Sequence, residues 1–281
     1  MQRRHFLTGL IGISALPFGG QTGHAADDAK GPPWSYNPDA VDGPEGWADL
    51  LDQEGKKPYA RCRDGIQQSP IEVELGAFPL PWKPLELNWH NADGLVVNDS
   101  PHHAIKVVVK DRTMITRINN VDYIAQEYHL HTPSEHTRRG LHGLMEVHVI
   151  HTKADGRKLV VGVMIESGND RGNGLFAQLL KAPQMPEPGA PWPGLLNATL
   201  MPDARFGYFR YNGSLTTPAC AEVVDWIVLD QPARAVISAP QIEIYKARYP
   251  YAGPPIPPDQ TLLTRPTQPV NGRVIRWYKR P

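Results

Sequence analysis

His129, His131 and His148 are the residues of this chain whose type and spacing carry the most chemistry. They lie in Glu127-Tyr-His-Leu-His-Thr-Pro-Ser-Glu-His-Thr137 and in Met145-Glu-Val-His-Val-Ile-His151. Residues i and i+2 of a β-strand point to the same face. His129 and His131 therefore share a face, and a hairpin-like return would set His148 beside them. Three neutral imidazoles converging on one point make a zinc site with an open fourth position, the arrangement of catalytic rather than structural zinc. Parity sorts the neighbours as well. Glu127 shares the face of His129 and His131, and Glu146 that of His148. Each carboxylate is then placed to accept the N–H of a ligating imidazole and fix its tautomer. His151 has the opposite parity and is expected to point into the core. His136 and His142 are not ligands on this reading.

Such a site has to be positioned by strands, and the rest of the chain supplies them. The 29 prolines and 25 glycines argue for many turns and short elements, hence a mainly β chain. Strand-like runs recur at 85–89, 104–109, 114–118, 123–131, 145–151, 159–165, 207–211 and 223–228, with turn residues between them, as an antiparallel sheet requires. Helical signals are confined to 175–182 and 240–248, both short and Pro-bounded. The Pro-rich stretch 183–193 reads as a loop. Strand patterning continues on both sides of it, so a single domain is expected.

Composition narrows the function classes. The formal net charge is +0, which leaves no overall basic footprint for nucleic acid or an anionic membrane. Gln2-Arg3-Arg4-His5-Phe6-Leu7-Thr8, the apolar stretch 7–20 and the small residues around Ala25 read as an export signal of the twin-arginine type over 1–25. The mature domain is then 26–281 and the expected location periplasmic. The apolar stretch falls short of the roughly 20 residues of a membrane span, and no later segment reads as one. Cys62 and Cys220 are the only cysteines. They are too few for a Cys-rich zinc site, and in an exported protein they are expected to close one long-loop disulfide.

Beyond the histidines, Ser134-Glu-His-Thr137, Gly213-Ser-Leu-Thr-Thr-Pro218, Gln68-Ser-Pro-Ile71, Trp226-Ile-Val228 and Arg265-Pro-Thr-Gln-Pro-Val-Asn-Gly-Arg273 complete an ordered set that resembles the α-class carbonic anhydrases from about Trp34 to about Arg273. The resemblance implies one domain around a large, mostly antiparallel twisted β-sheet with short peripheral helices. It implies Zn2+ held by His129, His131 and His148, and reversible hydration of carbon dioxide to bicarbonate and a proton by zinc-bound hydroxide. Zinc lowers the pKa of its bound water to about 7, a value for which carbonic anhydrase is itself the standard example. By the same resemblance the Thr216 hydroxyl donates to Glu135, which as a carboxylate only accepts, and so orients the hydroxide. Ile150, Val160, Leu215, Val224 and Trp226 form the apolar wall for CO2, with Thr216 and Thr217 at the substrate. His103 is the implied proton shuttle, a His titrating near neutrality being suited to that task. His102 stays open as the alternative, because the loop before it is one residue longer than the usual pattern. A monomer and a homodimer both fit.

The chain departs from the family pattern at several places. Glu127 stands where a Gln is usual, Ile150 where Val is commoner, Lys106 and Leu263 along the proton path, and Asp225 beside the pocket tryptophan. A carboxylate is a stronger acceptor than an amide and pushes electron density toward the metal. The basic limb of the pH–rate profile is therefore expected at higher pH than in Glu127→Gln, and identical profiles would contradict this. Two competing readings remain. A catalytically silent zinc-binding or interaction protein on the same fold would be expected to have lost a ligand histidine, and none is missing. A different zinc hydrolase would carry a second carboxylate poised at the metal, as in a His-Glu-x-x-His helix, and none is evident.

Overall fold

The computed structural model describes residues 31–99, 103–153, 155–169, 174–183, 189–202, 205–248 and 264–280. The expected export signal, His102, the side chain of His103 and Leu263 lie outside the described residues.

The strands are β1 (Phe78–Pro81), β2 (Leu85–Trp89), β3 (Ala92–Asp99), β4 (His103–Val109), β5 (Met114–Ile118) and β6 (Val121–His131). A small hairpin follows, β7 (Thr137–Arg138) with β8 (Leu141–His142). Then come β9 (Met145–Thr152), β10 (Lys158–Ser167), β11 (Ala190–Leu195), β12 (Tyr208–Gly213), β13 (Val224–Leu229), β14 (Val236–Ile237) and β15 (Arg276–Lys279). Helices are short: α1 (Arg61–Asp64), α2 (Leu175–Lys181) and α3 (Ala239–Ala247). Apart from the β7–β8 hairpin, the strands join one 13-stranded sheet, whose main path runs β1-β15-β12-β13-β10-β9-β6-β4-β3-β11. Three of its pairings, β1 with β15 and β10 with β13 and β14, are parallel. The others are antiparallel, as the alternating sequence pattern requires.

Side-chain alternation gives the sheet two different faces. Val147 and Val149 of β9, Val161 and Val163 of β10, and Ile227 and Leu229 of β13 enter the main core. The intervening Ile150, Val160, Val224, Trp226 and Val228 form a second apolar cluster on the other face, the face that carries His148. One irregularity matters. Ala125 pairs with His151 and Glu127 with Ile150, so Gln126 is an extra residue in β6. This bulge turns Ala125 into the core and leaves Glu127 on the face of the histidines.

The 183–193 stretch is not all loop, because Ala190–Leu195 pairs with β3 as a strand. Its two prolines mislead the pattern reading, yet β11 is the last strand of the main path, and an edge strand tolerates residues that cannot donate to a ladder. The non-periodic N-terminal segment packs down as its aromatics suggest. Trp34, Tyr36 and Trp47 are buried and meet edge to face at 5.1–5.7 Å.

His151 points into the core as expected. Its Nδ1–H donates to the Leu159 carbonyl (3.1 Å), and its Nε2 lies 2.9 Å from the Thr116 hydroxyl. Burial pushes this imidazole from 6.5 down to about 4. The unfolded chain therefore binds a proton between those values that the folded chain refuses. Stability is complete above about pH 6.5 and falls as pH drops through the window. The loss should be on the order of 3 kcal/mol, at 1.36 kcal/mol per unit. Urea melts across pH 4–7 should show this slope, and His151→Gln should flatten it. Equal slopes in the two proteins would contradict the assignment.

Cys62 and Cys220 are disulfide-bonded across a sequence separation of 158. Closing so long a loop is worth about 5 kcal/mol in the chain-entropy model. The bridge also anchors the loop that carries Thr216, where Cys220 N donates to the Thr217 carbonyl at 2.8 Å and Leu215 N to Ala221 at 3.0 Å. A Cys62→Ser/Cys220→Ser double variant should lose several kcal/mol in denaturant melts. A loss below about 1 kcal/mol would show that the bridge is dispensable.

Candidate metal centre

β6 and β9 are antiparallel neighbours, with His129 opposite His148 and His131 opposite Glu146. That register converts the His-x-His spacing into a cluster. The ring centroids lie 5.1 Å (His129–His131), 5.4 Å (His129–His148) and 4.4 Å (His131–His148) apart. One ring nitrogen from each falls within 4.8 Å of the others. All three residues are buried.

Glu146 fixes the third imidazole. Its Oε2 accepts the backbone N–H groups of Glu135 and His136, each at 2.9 Å. Its Oε1 faces His136 Nδ1 at 2.8 Å and His148 Nε2 at 3.1 Å. Burial alone would raise this carboxyl. The two imidazoles beside it outweigh burial and hold it well below the usual carboxylate range. Glu146 is thus an anion with one oxygen 3.1 Å from Nε2 of His148, on the side of the ring away from Nδ1, the nitrogen nearer Glu135. Burial, reinforced by His131 and His129, drives the His148 pKa well below its ordinary value against the pull of Glu146. The ring is neutral, as a ligand must be. A second set that could hold a metal, His136, Glu146 and His148, is already closed by its own hydrogen bonds. The three-histidine set fits zinc better.

Glu135 is fully buried, and its Oε2 sits 3.6 Å from His131 Nε2 and 3.9 Å from His148 Nδ1. Its Oε1 accepts the Arg265 backbone N–H at 2.8 Å. On balance burial raises this carboxyl, against the opposing pull of His131, the Arg265 N–H and the nearby Thr216 hydroxyl. Thr216 and Glu135 are therefore neighbours beside the imidazoles, and Thr217 follows in the same disulfide-anchored loop. Arg265 is itself fixed by Gln68 Oε1 (2.9 Å) and the carbonyls of Ser69 (2.8 Å) and Cys62 (2.5 Å).

Ile150, Val160, Leu215, Val224 and Trp226 meet in the second apolar cluster. Trp226 stands edge-on to both His136 and His148 at 4.8 Å and donates its indole N–H to the Ser214 carbonyl at 3.0 Å. Glu127 lies close behind His129, but its Oε1 is 3.8 Å from Nδ1, longer than a direct hydrogen bond. Its Oε2 is 3.9 Å from Lys106 Nζ, in keeping with Lys106 lying opposite His129 in the β4–β6 ladder. A cavity of about 520 Å³ lined by Arg138, His142, Met164 and Leu229 contains none of the three histidines.

Several site residues were not found from the sequence. His136 joins Glu146 to Tyr211, with Nε2 2.6 Å from the hydroxyl, and Tyr211 donates on to Ser69 Oγ at 3.0 Å. His136 thus belongs to the hydrogen-bonded scaffold around Glu146. Its adjacency to Glu135 was the available signal. The Lys106–Glu127 pair was legible only as two separate departures.

Comparison with known proteins agrees with this geometry. The family model for eukaryotic-type carbonic anhydrase matches residues 42–279. A carbonic anhydrase of Klebsiella pneumoniae is 34% identical over 245 residues, covering 86% of this chain and 89% of that one. A carbonic anhydrase of Pectobacterium carotovorum is 30% identical, covering 77% and 82%. Among solved structures, the α-carbonic anhydrase of Thermovibrio ammonificans in complex with sulfanilamide superposes with a TM-score of 0.70 at 29% identity, over 88% of this chain and 99% of that one. The shared sheet, the buried histidine trio and a family match spanning nearly all described residues lead to one conclusion: this chain belongs to the eukaryotic-type, or α, carbonic anhydrase family of enzymes.

Proposed function

We propose that the chain interconverts carbon dioxide and bicarbonate at a zinc ion held by His129, His131 and His148. The observation that carries this reading is the meeting of three buried imidazoles, one of them kept neutral by burial with its Nε2 3.1 Å from the ionised Glu146. Zinc there would supply Lewis acidity that makes a coordinated water acidic near neutral pH, the effect best known from carbonic anhydrase itself.

The chain's own residues do the rest. Glu135 accepts the Thr216 proton, so the Thr216 oxygen is left to accept a hydrogen bond from the reacting water. That commits one water hydrogen to Thr216 and aims an oxygen lone pair toward the apolar wall. CO2 is apolar, and Ile150, Val160, Leu215, Val224 and Trp226 offer a surface that gains nothing from holding water there. Oxygen attack on the carbon gives bicarbonate, and the proton lost by water has to leave by a separate path, for which His103 is the proposed carrier. Thr216 and Thr217 border the product. Glu127, neutralised in part by Lys106, biases the orientation of the His129 ring. Export to the periplasm fits the disulfide and the bacterial relatives.

Exchange of 18O from labelled bicarbonate into water tests the reaction in both directions. The protein should accelerate the exchange, a zinc chelator should suppress it, and added zinc should restore it. No acceleration by a folded, zinc-containing protein would overturn the reading.

A further inference from the structure

We propose that the sheet edge built from β1 and β15 is a docking surface for an anionic phospholipid bilayer. The formal net charge of +0 conceals a local imbalance. Segments 78–84 and 274–280 contain Lys83, Arg276, Lys279 and Arg280 but no Asp or Glu. The two strands run parallel, with Phe78 opposite Arg276 and Pro81 opposite Lys279. The cations from Arg276 to Arg280 therefore flank the edge over roughly 13 Å of strand, with Arg276 and Arg280 on the face of Tyr278, and Lys279 on the face of Trp277. Lys83, Arg276 and Lys279 are exposed and Arg280 half-buried. Among the described residues none of the four is paired with a carboxylate. Three sit instead over aromatic rings: Lys83 over Tyr278 (5.8 Å), Lys279 over Trp277 (5.4 Å) and Arg280 over Trp82 (4.7 Å). Asp230 lies against the strip, but it accepts the Gly207 N–H (2.6 Å) and the Trp277 indole N–H (3.4 Å) rather than pairing with a cation.

The backbone says what kind of partner fits. Phe78 N–H points inward and donates to the Ile275 carbonyl at 2.8 Å. Alternation then turns the nitrogens of residues 79 and 81 outward, and both are prolines. The outer edge offers carbonyls and no N–H, so a peptide cannot extend the sheet by pairing with it. A partner has to read the side chains. Those are cations and the exposed apolar Phe78 (60%) and Val274 (58%), beside the half-buried rings of Trp82 and Trp277. Positive charge beside protruding apolar groups matches an anionic lipid surface.

Co-sedimentation of the full chain with phosphatidylglycerol/phosphatidylethanolamine vesicles tests this, with phosphatidylcholine vesicles as the comparison. Binding is expected on the anionic vesicles alone, and it should weaken as salt rises. Each cation lost should weaken it about fivefold. A Lys83→Glu/Lys279→Glu variant, which changes only exposed side chains, should abolish sedimentation while hydration activity and melting temperature stay unchanged. Phe78→Ser should weaken binding without removing its salt dependence. Equal binding to both vesicle types, or undiminished binding by the charge-reversed variant, would overturn the proposal. So would retention on a polyglutamate column with no binding to vesicles.

Discussion

His148→Ala should lose bound zinc and CO2 hydration together. The ring it removes is one whose protonation state the surroundings fix: burial keeps it neutral, with Glu146 3.1 Å from its Nε2. Removing a partner behind a ligand typically costs 10–100-fold in metal affinity or activity, so removing the ligand itself should cost more than about 100-fold in both. Because His148 is buried against Trp226, the variant has to be shown to fold. Near-UV circular dichroism and the main-core melting transition provide that check, since the main core lies on the opposite face of the sheet. A folded variant that keeps full zinc content would remove His148 from the ligand set.

The second large effect separates orientation from metal binding. Thr216→Val keeps the branched shape and removes the hydroxyl. Zinc content should stay at one per chain while kcat/KM falls about 100-fold, the order expected when a reacting group loses its alignment. Thr216→Ser should recover most of the loss, because it returns the proton donated to Glu135. The disulfide-anchored loop and the Arg265 contact to Glu135 should hold the backbone in place in all three proteins. An unchanged rate in Thr216→Val would mean that the reacting water is oriented by something else.

The histidine trio was legible because strand parity is a rigid rule. Once β6 and β9 are antiparallel neighbours in register, residues two apart face one point, and Val147, Val149 and His151 are forced to the core side. The apolar residues Ile150, Val160, Leu215, Val224 and Trp226 came from the family resemblance instead, and the structure gathers them in one cluster. Other features escaped for equally physical reasons. The Gln126 bulge leaves no mark in a period-2 pattern, although it decides which way Ala125 and Glu127 face. His136 stands on the turn after β6, and it meets Tyr211 only because strands far apart in sequence share one sheet. Prolines hid β1 and β11, since a Pro in a run argues against a strand except at a sheet edge, and edge position is a property of the whole topology. Lys106 and Glu127 sit on β4 and β6, and only the ladder shows that two departures from the family pattern lie close to each other.

The most direct test of the account is a zinc titration of metal-free protein followed by stopped-flow CO2 hydration. The account predicts that activity rises in proportion to added zinc and breaks sharply at one zinc per chain, with no rise in His148→Ala. Activity that is independent of zinc, or a wild-type protein that binds one zinc and hydrates no CO2, would contradict it.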